Sequence, residues 1–236
     1  MKEPELLDLF CCEGGASVGY SRAGFKVTGV DLFDKYNQKR YPFKSYKSDA
    51  IDFVRKHSRK FAVIVGSPPC QHATIATSAL RSQGVEYPEL IIPLREALIA
   101  SGKPYVIENV KGAALLRPAM LCGCMFDLQA VDDDGILLHM QRQRFFESNM
   151  RLRAPRRCNH EGHEWIAGSY GGARRDKYEA KYVRKGGYVP SIPVQRELLG
   201  IDWMTQNGMF QSIPPVYTEH LGKQIMRHLR RMKTAR

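Results

Sequence analysis

The stretch FAVIVGSPPCQ, residues 61–71, constrains this chain most. Its first five residues are apolar and rich in β-branched side chains, a composition that suits a strand buried on both faces of a parallel sheet. Gly66-Ser67-Pro68-Pro69 ends that strand, because proline donates nothing to a sheet ladder and restricts the residue before it. Cys70 therefore falls just past the carboxyl end of a central strand, the edge at which open α/β sheets bind their ligands. The two prolines stiffen the loop that carries the thiol. A cysteine alone in this position reads as a buried structural residue on a Pro-rich turn. The motifs around it in the chain change that reading.

Upstream, Leu6-Leu7-Asp8-Leu9-Phe10 reads as a first strand and Cys11-Cys12-Glu13-Gly14-Gly15-Ala16 as a tight turn. A helix is expected over 17–23, closed by Gly24, and a second strand over 25–30, closed by Asp31. This is a βαβ unit whose small turn lets a ligand approach backbone N–H groups at a helix start. Asp31 suits the hydrogen bonds of a ribose diol, or is simply a strand-end turn residue. GxGxxG is absent, which argues against a dinucleotide site. Asp49 precedes a helix over 51–57 and suits its N-cap.

Beyond Cys70, residues 72–87 are small and polar and read as a mobile loop. A helix is expected over 88–101, with Leu90, Leu94 and Leu98 on one face. Lys103-Pro104-Tyr105-Val106-Ile107 reads as another strand, with Glu108 and Asn109 at its end. Residues 139–147, HMQRQRFFE, read as a strand on which Arg142 and Arg144 face the same way. A helix is expected over 193–199, ended by Gly200. Ser212 is placed to cap a final helix that has prolines in its first turn.

Charge bounds the partner. The chain has 36 Lys and Arg against 24 Asp and Glu, a formal net charge of +12, which points to a polyanion. Between 151 and 185, ten basic residues face four acids, with Trp165, Tyr170, Tyr178 and Tyr182 among them, a composition suited to nucleic-acid contact. No apolar run approaches a membrane span, and no signal peptide is read at MKEPELLDLF. Six cysteines, two of them adjacent, do not look like a secreted disulfide framework, so a reducing cytoplasm is expected. Cys158, His160 and His163, with Cys122 and Cys124, bring metal-ligating side chains, but their spacing matches no standard zinc pattern and no metal is expected.

The ordered set DLFCCEGG, Asp31, SDA, GSPPCQ, ENV, RQRFF and QSIPP resembles the cytosine-C5 DNA methyltransferases, over nearly the whole chain. GSPPCQ followed by ENV is its most specific part. Cys12 replaces the first glycine of the turn, Met140 stands where the family has glutamine, and Gln211 replaces asparagine before Ser212.

The resemblance implies an α/β fold of the S-adenosylmethionine-dependent methyltransferase (Rossmann-like) type. It divides the chain into a catalytic and cofactor-binding part (1–147), a small loop-rich target-recognition insert (148–188) and a C-terminal segment (189–236) that returns to the first part. It implies Cys70 as nucleophile, Glu108 at cytosine N3, Arg142 and Arg144 near the base and its O2, and Asn109 ordering the Pro-Cys loop. S-adenosylmethionine would meet Phe10, Cys12, Gly14, Gly15, Asp31, Leu32, Asp49, Pro69 and Ser212. Thr74, Arg81, Arg174 and Arg175 are the candidates for contact with double-stranded DNA. The expected function is methylation of a flipped-out cytosine, of the restriction-modification kind, by a monomer in a bacterial cell or phage-infected host. The alternatives are an RNA (tRNA) cytosine-C5 methyltransferase and a catalytically inactive DNA-binding relative.

Overall fold

A computed structural model describes residues 3–32, 35–74, 77–168 and 189–234. Its centre is a seven-stranded sheet in the order β3-β2-β1-β4-β5-β9-β6. The strands are β1 (Glu5–Leu9), β2 (Lys26–Asp31), β3 (Lys44–Lys47), β4 (Val63–Gly66), β5 (Tyr105–Asn109), β6 (Ala119–Leu121) and β9 (Arg144–Ser148). The first five run parallel, whereas β9 pairs antiparallel with both β5 and β6. A second sheet joins β7 (Gln129–Val131), β8 (Leu137–Met140) and β10 (Ile166–Ala167) in the order β10-β8-β7.

Alternation along the strands builds a core on each face of the large sheet. Leu6, Val63, Val65 and Val106 point to one side, where Tyr20, Tyr217, Leu221 and Ile225 cover them. Leu7, Leu9, Ile64 and Ile107 point to the other, against Phe53, Val54, Leu94 and Leu98. The covering helices are α1 (Gly15–Arg22) and the final helix Pro215–Thr234 on the first face, with α3 (Ala50–His57) and α5 (Ile91–Ser101) on the second. The final helix crosses α1 so closely that a Cβ on Gly19 would lie 2.0 Å from the Pro215 carbonyl oxygen. Thr218 Oγ1 seals the crossing with a 2.9 Å bond to the Ala16 carbonyl.

The strand order reverses between β1 and β4, since β2 and β3 lie to one side and β5 to the other. Such a switch point opens a crevice at the carboxyl ends of the strands. The loops after β1, β2, β4 and β5 all empty there.

Most of the expected elements are present with shifted ends, as at β4, which ends at Gly66 rather than at 65. Three differences matter more. The loop after Cys70 contains a short helix, α4 (Ser78–Ser82). Residues 139–147 are not one strand: β8 ends at Met140 in the small sheet and β9 begins at Arg144 in the large one. Arg142 sits in that crossover, so the alternation rule does not apply and the two arginines do not share a face. Ser212 does not cap the final helix. It follows a separate helix, Gln206–Gln211, and its Oγ donates to the Met209 carbonyl at 2.9 Å.

Candidate active site

The crevice at the switch point has a volume of about 320 Å³, within the usual range for small-molecule sites. Phe10, Cys12, Gly15, Asp31, Leu32, Pro69, Cys70, Glu108, Asn109, Arg144 and Ser212 line it. Residues from across the sequence converge because they lie just beyond the ends of neighbouring parallel strands, at the start of the antiparallel β9 (Arg144), or in the segment that returns over them.

One side of it is the turn after β1. Phe10 (φ 58°) and Cys12 (φ 47°) take left-handed backbone conformations, which non-glycine residues adopt only where their surroundings hold them. Gly14, at φ 91°, meets the same demand without a side chain. Asp31 fixes this geometry from β2: its Oδ2 accepts from Cys12 N and its Oδ1 from Leu32 N, both at 2.7 Å. Burial raises the Asp31 pKa, and these two N–H donors oppose the rise.

The thiol side is the loop after β4. Asn109 Nδ2 donates to the Pro68 carbonyl oxygen at 2.9 Å, so the end of β5 holds the Pro-Pro-Cys loop in place. Burial pushes the Cys70 thiol up, Arg144 pulls it down, and Glu108 adds to the rise. Glu108 is itself pushed up by burial, against the pull of Arg144 and Arg142 and a hydrogen bond with Ser67. Arg144 Nε lies 3.1 Å from Glu108 Oε1.

Some expected residues sit elsewhere. The Arg142 guanidinium is turned to the backbone of the returning segment, with Nε 3.0 Å from the Ser212 oxygen and Nη2 2.6 Å from that of Phe210. These bonds hold the segment against the crevice, and Arg142, unlike Arg144, is not among the residues that line it. Asp49 caps α3 by accepting from Asp52 N at 2.9 Å, is exposed, and lies outside the lining of the crevice. Arg81 Nη1 bonds the Gln71 and Thr74 carbonyls at 2.7 and 2.9 Å, bracing the loop that follows the thiol. Arg174 and Arg175 lie outside the described residues.

Two buried acids, Asp8 and Glu13, stand outside the expected site residues. Asp8 is 1% exposed in the middle of β1, accepts a hydrogen bond from Ser17, and is pushed up to about 7, chiefly by burial. Its signal was an acid inside an apolar strand. Glu13 accepts from Thr205 N and Oγ1, both at 2.7 Å, and so ties the turn after β1 to the returning segment.

Residues 5–117 match the family described as C-5 cytosine-specific DNA methylase. The Type II methyltransferase M.HgiGI of Herpetosiphon aurantiacus is 30% identical over 122 residues, 47% of this chain and 94% of that protein. The chain belongs to the C-5 cytosine-specific DNA methylase family. M.FnuDI of Fusobacterium nucleatum, also a Type II methyltransferase, is 33% identical over 116 residues, 46% of this chain. The chain spans only 33% of the length of M.FnuDI and 38% of that of M.HgiDI, another relative from Herpetosiphon aurantiacus. The solved structure of the S. pombe Dnmt2 methyltransferase superposes with a TM-score of 0.60, at 12% identity, over 97% of this chain and 99% of its own.

Proposed function

We propose that this member of the family transfers a methyl group from S-adenosylmethionine to C5 of a cytosine in double-stranded DNA. The observation that carries the reading is the meeting of a thiol, a buried carboxyl and a guanidinium in one crevice, beside the left-handed turn after β1 that Asp31 holds.

The residues present fit the donor. Asp31 offers a backbone-anchored carboxylate to a ribose diol, and Phe10 lines the same wall. Leu32, 69% exposed at the rim, and Pro69 complete that side. When bound, S-adenosylmethionine supplies an electrophilic methyl group on a sulfonium.

Cytosine C5 is a poor nucleophile on its own. Addition of the Cys70 thiolate to C6 pushes electron density to C5. Glu108, whose pKa burial raises against the pull of Arg144 and Arg142, is placed to donate a proton to N3 and so offset the charge that develops there. Arg144 places a positive charge beside both the thiol and the carboxyl, which favours thiolate formation and suits contact with the cytosine O2. After methyl transfer, loss of the C5 proton restores the ring double bond and expels Cys70. The thiol must reach the face of the ring, which base stacking covers in a duplex, so the base has to leave the stack. The net charge of +12 suits holding the phosphate backbone meanwhile. The segment 148–188, between β9 and the returning C-terminal part, is the candidate for reading the target.

The test is methyl transfer from labelled S-adenosylmethionine to duplex DNA of mixed sequence and, in parallel, to tRNA. Label recovered as 5-methylcytosine in DNA supports the reading. Label confined to tRNA, or absent from both, refutes it.

A further inference from the structure

The two short cysteine-bearing segments that the sequence left without a role come together in space. Cys122 and Cys124 flank Gly123 in the turn after β6, and Cys158 and His160 flank Asn159 in the segment leading to β10. Cys122 Sγ lies 3.2 Å from His160 Nε2, Cys158 Sγ lies 3.2 Å from the same nitrogen, and Cys124 Sγ lies 3.4 Å from Cys158 Sγ. All four donor atoms fall within 4.8 Å of one another. His163, by contrast, stacks on His139 with ring centroids 4.0 Å apart and is not one of the four.

We propose that Cys122, Cys124, Cys158 and His160 form a structural zinc site. A tetrahedral ion with Zn–S of about 2.3 Å and Zn–N of about 2.0–2.1 Å sets three sulfurs and one nitrogen on edges of roughly 3.5–3.8 Å. The three contacts above, 3.2–3.4 Å, fall a few tenths of an ångström short of those edges and every other pair lies within 4.8 Å, so small side-chain moves complete the shell. Three thiolates and an imidazole are soft ligands that select zinc over magnesium or calcium. Four protein ligands leave no open position, which marks a structural rather than a catalytic ion. Hydrogen bonding is a poor reason for such convergence, since thiols are weak donors and acceptors. A single disulfide would also leave Cys122 and His160 without a reason to be there.

The turn is built for close approach. A Cβ on Gly123 would lie 2.0 Å from the Met140 carbonyl oxygen, so the Cys-Gly-Cys knuckle rests directly on the end of β8. Met125 N closes the turn on the Cys122 carbonyl at 3.0 Å, and Arg156 Nη2 holds the Cys124 carbonyl at 2.6 Å from the other segment. The ion would fasten the start of the basic segment 151–185 to the edge of the large sheet, where β6 pairs with the strand that begins at Arg144. The ligands come from two distant one-residue-spaced pairs, and for that reason no standard zinc spacing is visible in the sequence. The expectation of no metal is thereby revised.

The experiment measures metal in the full chain purified without chelator from zinc-supplemented cells. The expected content is about one zinc per chain, falling below about a tenth in Cys124→Ser and Cys158→Ser and unchanged in Cys70→Ala. Cobalt exchanged into the parent protein is expected to give the visible bands and thiolate charge-transfer absorption of a tetrahedral site. His160→Cys is expected to keep the metal and to strengthen that charge-transfer absorption, which separates lost ligation from lost folding. Absence of both zinc and the cobalt bands from the parent protein overturns the proposal. Recovery of a Cys124–Cys158 disulfide from the protein as purified overturns it as well.

Discussion

Arg144 Nε lies 3.1 Å from Glu108 Oε1, yet among the described residues no donor is aligned on that buried oxygen. The pair is an electrostatic contact rather than a closed hydrogen bond, and it leaves the carboxyl able to face a substrate. Glu108→Gln keeps the size and a hydrogen-bond donor but cannot give up a proton. Its kcat for methyl transfer is expected to fall about 10²–10⁴-fold with little change in DNA affinity. A kcat within threefold of the parent would remove Glu108 from proton transfer.

Arg144 also acts on Cys70, whose pKa burial raises and Arg144 lowers. Removing the positive charge in Arg144→Gln should therefore move the thiol pKa further up. The measurement is the rate of Cys70 alkylation against pH, with the other cysteines followed as internal controls. The midpoint is expected to shift to higher pH in Arg144→Gln, and a shift to lower pH contradicts the placement of the charge.

The hydrogen bond from Asn109 to the Pro68 carbonyl predicts a positioning role. In Asn109→Ala that buried carbonyl loses its donor, at a cost of about 1–3 kcal/mol in stability. Transfer should also slow, because the thiol loop is no longer fixed. Asn109→Ser, with a shorter donor, is expected to lie between the two, and parent-like stability and kcat in Asn109→Ala would exclude the role.

Asp8 predicts a pH dependence of stability. A carboxyl whose folded-state pKa is pushed up to about 7 holds its proton in the native state while the unfolded chain has released it. The native state then binds more protons, so the contribution of Asp8 to stability falls as pH rises from about 4 to about 7 and stays low above that. Asp8→Asn removes this titration. Relative to the parent, its Tm is expected to be higher at pH 8 than the same comparison gives at pH 5. An unchanged difference between the two pH values contradicts a raised pKa.

The parts of the site that end parallel strands were legible in the sequence, because a βαβ order and a Pro-Pro stop determine where Cys70, Asp31 and Asn109 must emerge. Arg142 was not, because strand alternation assumes an unbroken strand and the chain changes sheets between Met140 and Arg144. Ser212 misled for a related reason: a serine before Pro-Pro looks like a cap, but the short helix before it uses its hydroxyl instead. Glu13 could not be read, since its partner Thr205 is distant in sequence and only the returning segment brings them together. The metal cluster was hidden in the same way.

The covalent role of Cys70 is the central claim, and trapping tests it most directly. In a duplex carrying 5-fluorocytosine, methyl transfer to C5 leaves a fluorine where a proton must depart, so elimination stops and the enzyme stays attached to the base. Intact mass spectrometry after incubation with S-adenosylmethionine and this duplex is expected to show the parent protein shifted by the mass of the methylated DNA strand, with the modified peptide carrying Cys70. Cys70→Ala is expected to show no adduct while retaining the parent Tm. An adduct on Cys70→Ala, or attachment through any other residue, would contradict the account.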